Sequence, residues 1–210
     1  TYLTMMHHMD EGIGRILEAL ERSGVAENTI VVFTSDNGGE RFSDTWPLVG
    51  KKMDLLEGGI RVPYVVRWPE VVPAGALSEQ LTITMDWTPT FLDAAGIAPH
   101  PDYPLDGLSL LPVLKDPNCT FERDLFWRMK FRGQKAARSG QWKYFVNDDG
   151  EFLFDLSKDE RERANLVKRE VAQLETMREK FAAWERAIPP IPEDAAYFIP
   201  YSRADLAHPS

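Results

Sequence analysis

A short stretch of the chain, residues 29–39, carries the side chains best suited to chemistry. The run Ile30-Val31-Val32-Phe33 is apolar and mostly β-branched, and it leads at once into Ser35-Asp36-Asn37-Gly38-Gly39. This pattern predicts a strand whose C-terminal end presents a carboxylate and a carboxamide, followed by two residues that tolerate positive φ. Ligands bind at that end of the strands in open α/β sheets. Asp and Asn oxygens suit Ca²⁺ or Mg²⁺.

About fifteen residues further on, Lys51-Lys52 precede the sequence Glu57-Gly58-Gly59-Ile60-Arg61-Val62-Pro63. A lysine ammonium is a compact point charge that attracts anions. Together with the oxygen ligands, it predicts a site for a metal-bound oxyanion. Plainer interpretations remain open, because Asp, Asn and Gly are also the residues that turns favour and loop lysines are often simply solvated.

Composition limits the classes of protein that need be considered. The chain has 210 residues, of which 43% are hydrophobic, so it can bury a sizeable core. Its net charge of −9 argues against a general nucleic-acid binder. Apolar runs of membrane-span length are absent from the sequence. A single cysteine excludes an internal disulfide and a Cys-based zinc cluster, and it leaves the cellular compartment open.

The first part of the chain predicts an α/β layer. An apolar stripe at three- and four-residue spacing predicts an amphipathic helix that ends near Ser23-Gly24 and whose methionines fill a core. The stripe consists of Met5, Met6, Met9, Ile13, Ile16, Leu17 and Leu20. Strands are predicted at 29–34 and 62–68, and the near-continuous apolar character of the second predicts burial on both faces.

The texture changes near residue 121. Short strands are predicted at 125–129, 135–138, 142–146 and 152–155, followed by a charged amphipathic helix at 169–187. An antiparallel sheet with one covering helix fits this pattern. We therefore divide the chain into an α/β part at 1–120, a small sheet-and-helix part at 121–188 and an extended Pro-rich tail at 189–210.

Five motifs in order resemble the C-terminal part of the formylglycine-dependent sulfatases, members of the alkaline phosphatase superfamily. They read FTSDNGG, GKKMDLLEGGIRVP, RWP, DWTPTFLDAAGI and DGLSLLPVL. The later stretch ARSGQWKYFVNDDGEFLFDLSKDERERANL resembles the small C-terminal subdomain of the same family. The resemblance implies part of a mostly parallel sheet sandwiched by helices, plus a small antiparallel sheet with one covering helix.

The resemblance also implies roles for individual residues. Asp36 and Asn37 match the strand-end pair that ligates a divalent cation, usually Ca²⁺. Lys52, five residues before Glu57, matches the lysine that contacts the sulfate, with the adjacent Lys51 as the alternative. Arg41, in the loop beside the metal strand, is a further candidate substrate contact or a solvated loop charge. The chain departs from the family at 47–50, where Pro-Leu-Val-Gly replaces the common Pro-Leu-Arg-Gly.

The family nucleophile is a formylglycine made from the first residue of a Cys/Ser-x-Pro/Ala-x-Arg motif, and the sequence contains no such motif. Cys119 and Arg123 have the right separation, but Phe121 stands where Pro or Ala belongs, so inert packing is the favoured interpretation of the cysteine. We expect formylglycine upstream of this chain in a longer parent. Alone, the chain is expected to be inactive, to hold no metal tightly and to self-associate.

The parent protein is accordingly interpreted as a hydrolase of a small-molecule or saccharide sulfate ester. Two alternatives stay open: a phosphoester or phosphonate hydrolase of the same superfamily, and a non-catalytic binding or assembly domain. Neither nucleic acid nor a membrane span is expected, and the pattern indicates no compartment.

Overall fold

The computed structural model of the chain describes residues 2–40 and 42–195, which form two compact units. The first unit comprises Thr1–Asp44 and Arg61–Arg123, and the second comprises Thr45–Ile60 and Asp124–Ser210. The three-part division drawn from the sequence stays a prediction. Most of the predicted tail, residues 196–210, lies outside the described part of the chain.

The first unit is built on two short strands, β1 (Val31–Thr34) and β2 (Tyr64–Arg67). They pair antiparallel, with Val32 opposite Val66. One face of the pair packs on a core that includes residues of α3 (Trp87–Ala94) and α4 (Leu111–Lys115). The buried members of this core are Trp87, Leu110 and Leu114.

The α/β class is confirmed, but the described strands of the first unit differ from the expected parallel arrangement because β1 and β2 are antiparallel. The prediction that the second strand is buried on both faces is wrong. Val65 is 58% exposed and its partner Phe33 is 40% exposed. An apolar run reports the hydrophobicity of both faces of a strand, but only the face with Val32 and Val66 packs on the core.

The predicted amphipathic helix is present as α1 (Tyr2–Arg22), and Gly24 follows it with a left-handed φ of 69°. Its methionines do not fill a core, contrary to expectation, since Met5, Met6 and Met9 are 70%, 41% and 42% exposed. The periodicity identifies a helix with an apolar side, whereas burial depends on what packs against that side. None of the helices within 2–40 and 42–195 combines the length and apolarity needed to cross a membrane.

The second unit contains a four-stranded antiparallel sheet in sequential order, formed by β3 (Asp124–Arg128), β4 (Lys135–Ser139), β5 (Trp142–Asn147) and β6 (Gly150–Asp155). The predicted covering helix is α5 (Val171–Ala187). Side chains alternate between the two faces of a strand. One face therefore packs on α5, and the other on Leu55 and Leu56, which precede the short helix α2 (Glu57–Ile60).

Candidate functional site

The turn that follows β1 brings the predicted metal ligands side by side. The Asn37 side-chain amide donates a hydrogen bond to Asp36 Oδ1 at 2.9 Å. The Ser35 hydroxyl donates to the Asn37 carbonyl at 2.8 Å, which ties the turn to its own backbone. Asp36 is exposed, Asn37 is half-buried and Gly38 is buried. The carboxylate and the carboxamide therefore share one accessible end of the strand.

The chemistry of this pair fits part of a divalent-cation site. Because the Asn37 amide nitrogen faces Asp36 Oδ1, the pair keeps further carboxylate and carboxamide oxygen lone pairs as acceptors. Hard oxygens are what Ca²⁺ and Mg²⁺ prefer, but Ca²⁺ takes about six to eight of them. Within the described ranges, no group of three or more His, Cys, Asp or Glu residues is arranged to hold a metal ion. The two residues thus fit as a fraction of a ligand shell.

Lys51 and Lys52 lie in the second unit, in the loop that leads to α2, and both are exposed. We call residues 49–56 the lysine loop. Inside it, the Asp54 amide donates to the Lys51 carbonyl at 2.9 Å, and the Lys51 amide donates to Asp54 Oδ2 at 3.2 Å. Met53 adopts a left-handed φ of 75°, which is uncommon for a side chain of its length. The loop is therefore a defined turn.

The two glycines of the Glu-Gly-Gly sequence allow this loop to lie directly on α2. The Gly58 amide donates to the Val49 carbonyl at 2.7 Å. A Cβ atom at Gly58 would lie 2.3 Å from the Gly50 carbonyl oxygen, and one at Gly59 would lie 2.0 Å from the Asp54 carbonyl oxygen. Any side chain at either position would push the backbone of the lysine loop away.

Glu57 fixes the start of α2 through a buried charge cluster. Its Oε1 lies 2.8 Å from the Lys143 ammonium, which also lies 3.2 Å from Glu162 Oε1. The Glu57 amide donates to Glu162 Oε2 at 2.6 Å, and Arg138 lies 3.5 Å from Glu57 Oε2. The Lys143 side chain is fully buried. We call Glu57, Lys143 and Glu162 the buried charge cluster.

Burial raises the pKa of the Glu162 carboxyl, while the neighbouring Lys143 ammonium acts in the opposite direction. Sequence reasoning did not find Lys143 or Glu162. Lys143 and Glu162 lie 86 and 105 residues beyond Glu57. No local pattern marks such long-range partners.

The remaining candidates from the sequence are Arg41 and the pair Cys119 and Arg123. Arg41 lies outside the described residues, so its role stays a prediction. Arg123 makes two hydrogen bonds to the buried Asp86 carboxylate, at 2.6 and 3.0 Å. In the same stretch of chain, Cys119 is partly buried. Arg123 is the arginine that the motif-like spacing pairs with Cys119, and it is engaged by Asp86 instead. This supports the interpretation that the cysteine is inert.

The described part of the chain combines helices with two antiparallel sheets and therefore has an α/β fold. The model of the family "Sulfatase" matches residues 1–97. Human N-acetylgalactosamine-6-sulfatase is 39% identical over 150 residues, which are 68% of this chain and 28% of the relative. This chain therefore belongs to the sulfatase family. It spans about 28% of the length of that relative.

Solved structures resemble larger parts of the chain. The crystal structure of Ps i-CgsB in complex with k-i-k-neocarrahexaose has a TM-score of 0.75 and 32% identity, covering 83% of this chain and 40% of that one. The phosphonate monoester hydrolase of Agrobacterium radiobacter has a TM-score of 0.62 and 27% identity, covering 85% of this chain and 40% of its own.

Proposed function

We propose that this chain supplies cation ligands and a sulfate contact to an enzyme that hydrolyses sulfate esters. The observation that carries the proposal is the position of Asp36 and Asn37 at the end of β1, inside the segment that matches the sulfatase family. The hydrogen-bonded, closely packed turn that carries Lys51 and Lys52 is the second support.

The proposed roles follow from charge. A sulfate ester is anionic, so attack by an anionic nucleophile is slow unless positive charge offsets the repulsion. A cation held by Asp36 and Asn37, Ca²⁺ or Mg²⁺, supplies part of that charge when bound. The Lys52 ammonium binds a sulfate oxygen and stabilises the negative charge that develops as the S–O bond breaks. Lys51 is the alternative for that contact, and Arg41 is a further proposed substrate contact.

The proposed nucleophile is a formylglycine, as in the family, carried by a part of the protein other than these 210 residues. The sequence given has no Cys/Ser-x-Pro/Ala-x-Arg motif. The proposed substrate is the sulfate ester of a saccharide. Support comes from the name of the human relative, an N-acetylgalactosamine-6-sulfatase, and from the neocarrahexaose bound to Ps i-CgsB.

A second candidate is hydrolysis of a phosphonate or phosphate ester. The structural likeness to the phosphonate monoester hydrolase supports it, because that match covers 85% of this chain, about as much as the 83% covered by the match to Ps i-CgsB. The same cation and ammonium would serve a phosphoryl group, since both substrates present tetrahedral anionic oxygens.

The test compares 4-nitrophenyl sulfate with 4-nitrophenyl phenylphosphonate, using the protein expressed from its complete gene, with Ca²⁺ and with a chelator. We expect Ca²⁺-dependent turnover of the sulfate. Lys52→Ala should lower kcat/KM about 10²–10³-fold, as expected for the loss of a charge-stabilising donor. Lys51→Ala should cost less than Lys52→Ala, and Lys115→Ala, an exposed lysine of α4, is the matched control.

Faster turnover of the phosphonate would select the second candidate. Absence of turnover of either ester would favour a non-catalytic binding domain and contradict the proposal. The 210-residue chain alone should not turn over the sulfate, because no residue in it is an assigned nucleophile.

A further inference from the structure

Gln134 holds the lysine loop although it lies about eighty residues beyond it in sequence. Its side chain is 1% exposed. Its Oε1 accepts the Leu55 amide at 2.9 Å, and its Nε2 donates to the Met53 carbonyl at 2.8 Å. One amide group therefore bridges the two residues on either side of Asp54, as a neighbouring strand would.

The position of this bridge matters because of the backbone that it holds. Met53 directly follows Lys52 and takes the left-handed φ of 75°. A non-glycine residue keeps such a conformation only where its surroundings enforce it. The Gln134 amide bonds to the Met53 carbonyl itself. Gln134 is thus part of the surroundings that fix the turn.

The opposite side of the loop is fixed by α2. The backbone of Gly59 leaves no space for a Cβ between itself and the Asp54 and Lys51 carbonyl oxygens. The lysine loop therefore lies between a glycine backbone and a buried glutamine amide. Removing either support frees the loop to move and changes where it presents Lys52.

We propose that Gln134 is a positioning residue that acts through Lys52, setting the location of its ammonium against the sulfate. The inference rests on the proposed role of Lys52. Gln134 does not touch substrate in this account. Misplacing a reacting or binding group by about 1 Å can cost about 10²-fold in rate, and a loop that loses both amide hydrogen bonds can shift by such a distance.

A double-mutant cycle tests the inference in the protein expressed from its complete gene, with 4-nitrophenyl sulfate as the probe. Gln134→Met keeps the length of the side chain and removes both hydrogen bonds to the lysine loop, together with the longer one that Nε2 donates to the Phe131 carbonyl at 3.3 Å. We expect it to lower kcat/KM about 10–10²-fold when Lys52 is present. In the Lys52→Ala background the same change should cost less than about twofold, because coupled residues are not additive.

Gln80→Met is the matched control. The Gln80 side chain also bridges backbone groups, accepting the Phe121 amide at 2.8 Å and donating to the Leu81 carbonyl at 3.0 Å, but in the first unit. It should reduce thermal stability without a loss in kcat/KM comparable to that of Gln134→Met. If Gln134→Met does not fold, Gln134→Glu replaces it, because it retains the acceptor for Leu55.

The outcomes separate the two proposals. Equal losses from Gln134→Met with and without Lys52 would show a merely structural glutamine and overturn the inference. So would wild-type activity in Gln134→Met, or an equal loss from Gln80→Met. An unchanged rate in Lys52→Ala would instead remove the proposed function of that lysine, and the positioning role with it.

Discussion

The turn after β1 and the lysine loop before α2 carry the residues on which the proposed function rests, and they are held in different ways. The first is tied by hydrogen bonds between near neighbours, such as Ser35 to Asn37. The second is held by Gln134 and, through α2, by Lys143, which lie about eighty residues or more from their partners in the loop and in α2. Cation ligands in a local turn can adjust to an ion, whereas a point charge needs an imposed location.

The largest expected effect comes from the buried charge cluster. Lys143→Met leaves the buried carboxylates of Glu57 and Glu162 without their shared ammonium, and should reduce the free energy of unfolding by about 3–5 kcal/mol. Urea denaturation measures this. Lys158→Met is the control, since Lys158 pairs with Asp155 at 2.9 Å but is 79% exposed. Similar losses in the two variants would contradict the long-range support assigned to α2.

The next largest effect is expected from the close packing of the α2 backbone against the lysine loop, which involves no charge. Gly59→Ala should lower stability by about 1–3 kcal/mol because its Cβ has no space beneath the lysine loop. Turnover should fall with it. Gly12→Ala in α1 has nothing within 4 Å of the new Cβ, so it should be neutral or stabilising by about 0.5–1 kcal/mol. Thermal unfolding of both variants checks the contrast, and a harmless Gly59→Ala would contradict it.

The buried charge cluster should also make the free energy of unfolding depend on pH. The folded state raises the pKa of Glu162 above its ordinary 4.5. Between 4.5 and this raised pKa, the folded protein therefore binds more protons than the unfolded chain. The contribution of Glu162 to the free energy of unfolding therefore falls as pH rises through this range. Glu162→Gln should flatten that fall in stability curves measured from pH 4 upward. An unchanged slope would mean that the carboxyl is not perturbed by burial.

The smallest effect is expected at the local turn. Ser35→Ala removes one hydrogen bond to the Asn37 carbonyl and should cost about 1 kcal/mol. It should also weaken Ca²⁺ binding, measured by calorimetry on the protein from its complete gene. Thr176→Ala, which removes a hydroxyl bond to the Ala172 carbonyl within α5, should leave Ca²⁺ affinity unchanged. Loss of folding in Ser35→Ala would show that this turn is not merely local.

Much of the fold could be predicted where the signal is local. Strand β1 and the turn at Asp36 follow from a short apolar run and two glycines, and β3 to β6 follow from short alternating runs separated by turn residues. The direction of pairing between β1 and β2 could not be predicted, because an apolar run does not indicate whether two strands run parallel or antiparallel.

The parts that sequence reasoning missed depend on distant neighbours. Met5 is apolar and at helical spacing, yet it is exposed, because a periodic stripe does not reveal what covers it. Gln134, just before β4, and Lys143, in β5, look like ordinary polar residues in the sequence, yet both are buried. A buried glutamine or lysine could be recognised only from a partner on another segment.

The proposed function depends above all on ligation of a divalent cation by Asp36 and Asn37 after β1. The most direct test is anomalous diffraction. The crystals are grown with Ca²⁺ from the protein expressed from its complete gene. We expect a peak at roughly 2.3–2.6 Å from the Asp36 carboxylate and from Asn37 Oδ1, and we expect Asp36→Ala to abolish it. A bound cation beyond coordinating distance of both side chains would contradict it.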